Sequence, residues 1–221
     1  MMSDIEKTIG SMLVGDGFVM KHGEVCFTHS VVQEEYARMK KSILESMGVK
    51  FRKDHYCPAH GFGRNPVVMI RSTATALGKR LRQEFYPDGM KKIPRKMFDA
   101  FGWPEWAIIF QDDGRCNRIS HYNIIRQGER VRVDCQPFAH RYEFCFPEFD
   151  DSEMMSAICS LGNLGIVARI GHHRRLGQRL LWISESASKE KFREGVLPHM
   201  CSCLAYKTEL PASLRSVAHE R

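Results

Sequence analysis

Two acids, Asp16 and Asp113, each follow an apolar helical turn and precede a glycine. The stretches are Ile9-Gly10-Ser11-Met12-Leu13-Val14-Gly15-Asp16-Gly17 and Trp106-Ala107-Ile108-Ile109-Phe110-Gln111-Asp112-Asp113-Gly114. Carbonyl oxygens concentrate partial negative charge at the end of a helix, so a carboxylate held there is costly unless a cation offsets it. A divalent ion would do so. Two copies in matching contexts predict two half-sites related by a pseudo-twofold axis, with the acids meeting at the axis. A positive group near each acid would complement chemistry on an anion. Lys92 and Lys207 stand at equivalent ends of the two copies, each shortly before a proline (Pro94, Pro211), and Lys91 competes with Lys92 for the first position.

The elements that must position these residues follow one order twice. In the first copy Ser3-Asp4-Ile5-Glu6 opens a helix with Ile5, Ile9, Met12 and Leu13 at helical spacing, stopped by Gly15-Asp16-Gly17. Phe18 to Lys21 and Glu24 to Thr28 flank His22-Gly23 as a hairpin. A second helix opens at Ser30, with Val32, Tyr36, Met39, Ile43 and Met47 as its buried stripe, and ends at Gly48. Strands near Val49–Arg52 and Val67–Arg71 precede a helix carrying Leu77, Leu81 and Phe85. After a connector, Arg95 to Gly102, the second copy starts at Pro104. It has strand-like stretches at Asn123–Arg126, Val131–Cys135 and Arg141–Phe146, and a helix capped by Asp150 and Glu153. Strands at Ile166–Ile170 and Leu180–Ser184 lead to a helix with Phe192 and Val196.

The predicted fold class is α+β, two αββαββα half-domains at 1–94 and 104–211, with a linker at 95–103 and a polar tail at 212–221. Several strands place bases on one side: Lys50, Arg52, Arg71, Arg132 and Arg169. A sheet covered by helices on one face and basic on the other can cradle a duplex. The densest basic turn is His172-His173-Arg174-Arg175-Leu176-Gly177-Gln178-Arg179, and Arg52 through Arg64 occupies the same slot in the first copy.

Length and charge agree with this reading. The chain has 221 residues and a net charge of +7, with pI ≈ 9.0, which makes polyanions the natural partners. The 8 cysteines are scattered through apolar and strand-like stretches of a chain too large to need disulfide staples, so they read as reduced thiols. Cys57, with His55 and His60 nearby, has half a zinc-site spacing, but no second pair follows at finger distance. The N-terminus lacks a basic leader and no apolar run approaches a membrane span. The expected location is cytoplasmic, or associated with an organelle or nucleoid, and not secreted.

Leu13-Val14-Gly15-Asp16-Gly17 and Phe110-Gln111-Asp112-Asp113-Gly114 resemble the two motifs of the LAGLIDADG homing endonucleases, in the subgroup with an Asp-Asp-Gly second motif. Phe85 to Pro94, Phe146 to Glu153 and Met200 to Lys207 also match that subgroup, in the family's order. The resemblance spans residues 5 to 210. It implies a monomer in which the two motif helices lie side by side and both sheets form a DNA-binding saddle. It further implies that Asp16 and Asp113 bind metal, that the carbonyls of Gly15 and Asp112 approach it, and that Lys92 and Lys207 are the active-site lysines. Gly10, Ser11 and Ala107 fit the small residues of the helix seam; Ile108 and Ile109 are bulkier.

The activity so implied is site-specific double-strand cleavage of DNA by phosphodiester hydrolysis with Mg²⁺, or another divalent ion such as Mn²⁺. Asp16, Asp113, Lys92 and Lys207 would act at the phosphates. Lys50, Arg52, Arg71, Arg132, Arg169, His172, Arg174, Arg175 and Arg179 would bind double-stranded DNA. No intein splice junctions are present, so an intron-encoded or free-standing mobile gene is expected. The alternative is an RNA-binding group I intron maturase on the same scaffold, with intron RNA as partner.

Overall fold

The computed structural model describes residues 2–59, 65–119, 122–127, 130–135, 139–173 and 177–209, with the backbone alone where these fall between 118 and 139. The chain opens with α1 (Asp4–Val14), whose first turn is closed by the Glu6 carboxylate accepting the Ser3 N–H at 2.9 Å. β1 (Phe18–Val19) and β2 (Val25–Ser30) follow, joined through Gly23, whose φ of 89° lies in the left-handed region open to glycine. Then come α2 (Glu34–Ser46), β3 (His55–Cys57), β4 (Val67–Arg71) and α3 (Ala76–Phe85), the last capped by the Thr75 hydroxyl accepting the Gly78 N–H at 2.9 Å.

A short helix, α4 (Arg95–Ala100), leads into α5 (Trp103–Asp113). Strands β5 (Gly114–Ile119), β6 (Tyr122–Gln127), β7 (Arg130–Cys135) and β8 (Ala139–Cys145) precede α6 (Asp151–Asn163). The chain continues through β9 (Arg169–His172), β10 (Arg179–Ile183) and α7 (Ser186–Val196), then two 3₁₀ segments at Leu197–His199 and Ser202–Thr208.

The two copies build sheets of the same order. The first is β1-β2-β4-β3 and the second β5-β8-β10-β9, all antiparallel; β6 and β7 form a separate hairpin inserted between β5 and β8. In β2 and β4, Phe27 pairs with Ile70 and His29 with Val68, all buried toward the helices, while Cys26 and Arg71 pair on the opposite face. In β8, Tyr142 and Phe144 are buried in the same way, and Arg141 and Glu143 alternate onto the other face.

One hydrophobic cluster runs through both halves, from Ile9, Leu13 and Phe27 to Trp106, Phe110, Phe144 and Phe192. α1 packs along α5, so the ends of the two motif helices meet. Ile108 and Ile109 are both buried there. Gly10 serves a different contact, since a Cβ would stand 2.9 Å from the Met97 sulfur on α4.

Four expectations need correction. The strand on the outer side of β4 is β3, and Val49–Arg52 contributes only the Phe51–Ser72 bridge. Residues Val31–Gln33 form a 3₁₀ turn before α2, which leaves Val32 69% exposed instead of on the buried stripe. The connector is helical: α4 buries Met97 and Phe98 and packs on α6. Finally, Gly114 starts a strand, β5, that the sequence reading did not place.

Candidate active site

The backbone leaves α1 through Gly15 and brings Asp16 beside the end of α5. A Cβ at Gly15 would stand 2.2 Å from Oδ2 of Asp112, so only glycine permits this approach. The Asp112 side chain is fully buried in the gap. Its Oδ2 accepts the Asp16 N–H at 3.2 Å, and its two oxygens lie 2.6 and 2.8 Å from the ammonium of Lys40, also fully buried. The Tyr36 hydroxyl donates to Asp112 Oδ1 at 2.9 Å. Burial, then the Asp112 charge, holds the Tyr36 hydroxyl well above its ordinary range, so it remains a donor.

Lys40 also lies 3.1 Å from Nε2 of His29. Burial and then the Lys40 charge push His29 down to about 4, so the ring is neutral near pH 7. With Nε2 accepting from the ammonium, the ring proton sits on Nδ1, which is 3.8 Å from Asp16 Oδ2.

Asp113 points the other way from Asp112. It lines a cavity of about 300 Å³ together with Gly15, Asp16, Lys91, Cys145 and Glu148. Burial raises its carboxyl to about 7, reinforced by the charges of Asp16 and Asp112; burial and Asp112 raise Asp16 as well. Two lysines reach this centre from opposite sides. Lys91 donates to the carbonyls of Gly15 and Gly17 at 3.0 and 3.1 Å, and Lys207 to those of Gln111 and Asp112 at 2.6 and 3.4 Å. Each lysine thus caps the carbonyl end of one motif helix. Burial lowers both ammonium groups from their ordinary value.

Of the sequence candidates, the structure brings Gly15, Asp16, Asp112, Asp113 and Lys207 together. It does not bring Lys92, which is half exposed and faces Asp88 at 3.8 Å. Lys91 occupies the position symmetric with Lys207. Tyr36, His29 and Lys40 were not anticipated. For Tyr36 and Lys40 the signal was present, since Tyr36, Lys40 and Leu44 recur every four residues on the buried side of α2.

The basic candidates divide. Arg71 lies on the face away from the helices, with Arg52 beside it; they flank Glu24 at 3.9 and 2.7 Å. Lys50 and Arg169 are exposed, and Arg169 pairs across strands with Trp182. Arg179 is a correction: it bonds the Phe149 carbonyl at 3.1 Å and Asp151 at 2.7 Å, bracing the start of α6 on the helix side. His172 is exposed opposite Arg179. Arg132 lies on β7 with its side chain outside the described residues, as are Arg174, Arg175 and His60.

Sequence reading missed the polar face of the second sheet. There Arg115 and Arg141 flank the buried Glu143 at 2.7 and 2.5 Å, and the Arg141 guanidinium lies 3.6 Å from the Trp182 ring centre. Both sheets therefore carry an acid between two arginines on the same face.

The homing endonuclease I-WcaI bound to its DNA recognition sequence is similar in structure: TM-score 0.69 and 16% identity, over 95% of this chain and 88% of that one. The fold is that of the LAGLIDADG homing endonucleases. Full-length DUF199/WhiA from Thermatoga maritima is also similar, with TM-score 0.50 and 12% identity over 99% of this chain and 66% of that one. At these identities the likeness is one of fold. No protein-family model and no curated protein matches the chain.

Proposed function

We propose that the chain is a site-specific, Mg²⁺-dependent DNA endonuclease of the LAGLIDADG type that cuts both strands of a duplex, acting as a monomer with internal pseudo-twofold symmetry. The observation that carries this reading is the meeting of Asp16 and Asp113 at paired helix ends, each end capped by a partly buried lysine. The donor set fits a hard divalent cation: carboxylate oxygens, with the Gly15 and Asp112 carbonyls beside them. Burial first, and then the charges of Asp16 and Asp112, raise Asp113 to about 7, a cost that a bound cation would lower. Asp16 and Asp113 would hold the ion. When bound, the ion neutralises charge at the scissile phosphate and lowers the pKa of water.

The chain's own residues supply the rest. Lys91 and Lys207 are fixed by helix carbonyls and present positive charge to a phosphate oxygen as charge builds on it, without reorganising. Asp112, locked by Lys40 and Tyr36, fixes the backbone N–H of Asp16 and so orients that carboxylate. The two sheets present Lys50, Arg52, Arg71, Arg115, Arg141 and Arg169 to a duplex, the arginines suited to guanine edges and phosphates.

Asp16→Asn and Asp113→Asn should each abolish double-strand cleavage while leaving DNA affinity within a few-fold, because each removes a cation-holding charge and no contact to DNA. The substrate is duplex carrying the sequence that flanks the reading frame, with Mg²⁺ or Mn²⁺ added. Normal cleavage by both variants would sink the proposal. Tight, specific binding to host intron RNA with no cation-dependent DNA cleavage would favour the maturase role instead.

A further inference from the structure

Among the described residues, two groups bring three ligand-type side chains within 4.8 Å of one another. One, Asp16, His29 and Asp112, belongs to the site above. The other is Glu35, Cys201 and Cys203, on the far side of Tyr36 and outside anything the cleavage reading uses. We propose that Glu35, Cys201 and Cys203 form a binding site for a soft divalent metal ion, Zn²⁺ in class, separate from the acids at the helix ends.

The geometry carries this. Cys201 Sγ lies 3.3 Å from Cys203 Sγ and 3.5 Å from Glu35 Oε1. A tetrahedral zinc with sulfur at about 2.3 Å and oxygen at about 2.0 Å has edges of about 3.8 Å between two sulfurs and about 3.5 Å between sulfur and oxygen. The Cys201–Glu35 edge already matches, and the thiols need to part by about half an ångström. The sulfurs stand well beyond the ~2.05 Å of a disulfide bond. The Ser202 hydroxyl donates to the same Glu35 oxygen at 2.6 Å and fixes the carboxylate toward the sulfurs. Glu35 is exposed and Cys203 partly so, which leaves the fourth position open to water.

Burial pushes the Cys201 thiol up to about 12, so binding must displace its proton and release it to solvent. The ligands come from α2 and from the 3₁₀ segment that carries Lys207, with Cys201 just ahead of that segment and Cys203 within it. Cys201 N–H donates to the Gln111 side chain at 2.6 Å, and the Gln111 carbonyl accepts from Lys207 at 2.6 Å. An ion here ties α2 to the chain segment that positions Lys207.

The test is a Co²⁺ titration of the full chain under a non-thiol reductant, followed by Zn²⁺ displacement. One equivalent should give sulfur-to-cobalt charge-transfer bands in the near ultraviolet, which Zn²⁺ removes. The bands should be lost in Cys201→Ser and in Cys203→Ser, the second at a partly exposed position where serine leaves packing intact. They should persist in Cys57→Ser, and in Asp16→Asn, which separates this site from the nuclease proposal. No thiolate bands in the reduced wild-type chain, or bands that survive both cysteine variants, would overturn the site.

Discussion

The ends of α1 and α5 match in outline and part most consequentially at one position. Where the first motif has Gly15, the second has Asp112, and that side chain crosses the pseudo-twofold axis to fill the space the glycine leaves open. Asp16 and Asp113 keep the symmetric role, with Lys91 and Lys207 capping the two carbonyl ends. Asp112 takes a different one, a fully buried acid neutralised by Lys40 and bonded by Tyr36. Neighbouring residues of the same type thus separate into a cavity-lining acid and an internal strut. What divides them is the turn of about 100° between successive helical positions.

The sharpest way to break this comparison is to remove the cation from the strut. Lys40→Met leaves Asp112 charged and unpaired, and should cost about 3–5 kcal/mol of unfolding free energy. Adding Asp112→Asn should recover part of that loss, read as coupling in a double-mutant denaturation cycle. A cost for Lys40→Met no larger than the ~1 kcal/mol of a surface pair would mean the strut does not bear on stability.

The symmetric lysines come next. Lys91→Met and Lys207→Met should each slow single-turnover cleavage about 10²-fold, near 2.7 kcal/mol, with little change in DNA affinity. Lys92→Met should leave the rate within about twofold, because its side chain lies among solvent and Asp88. Equal sensitivity at 91 and 92 would argue against a capped helix end as the element that matters.

The remaining effect is in pH. Asp113 is raised from 3.8 to about 7 in the folded chain, so between those values the native state holds a proton that the unfolded state releases. Its contribution to metal-free stability is therefore present at low pH and is lost as pH rises through about 7. Divalent-ion affinity should run the opposite way, rising up to about tenfold per pH unit below 7 and levelling above it. Calorimetric titration at several pH values checks this. Asp113→Asn should remove the metal-free pH trend assigned to Asp113.

The sequence carried the large features because they depend on local physics. Apolar turns ending in acid-glycine, a capping box at Asp150 and Glu153, and a hairpin around Gly23 all act within a few residues. The choice between Lys91 and Lys92 was not legible, because they follow α3 in irregular chain, where no period selects a face. β5 was hidden by its composition, Gly-Arg-Cys-Asn-Arg-Ile, in which tertiary pairing with β8 overrides weak strand propensity. Arg179 looked like part of a basic loop; parity along β10 turns it to the helix side.

α4 has a consequence for how the molecule comes apart. Its Met97 meets Gly10 of α1, and Phe98 stacks near Trp106 of α5 and Phe149 ahead of α6. Just before it, the Ile93 N–H donates to Glu153 at 2.6 Å. The link between the repeats is thus a wedge of their common interior and no tether. A half cannot melt without exposing the wedge that the other half also buries, so heat should unfold the chain in one cooperative step.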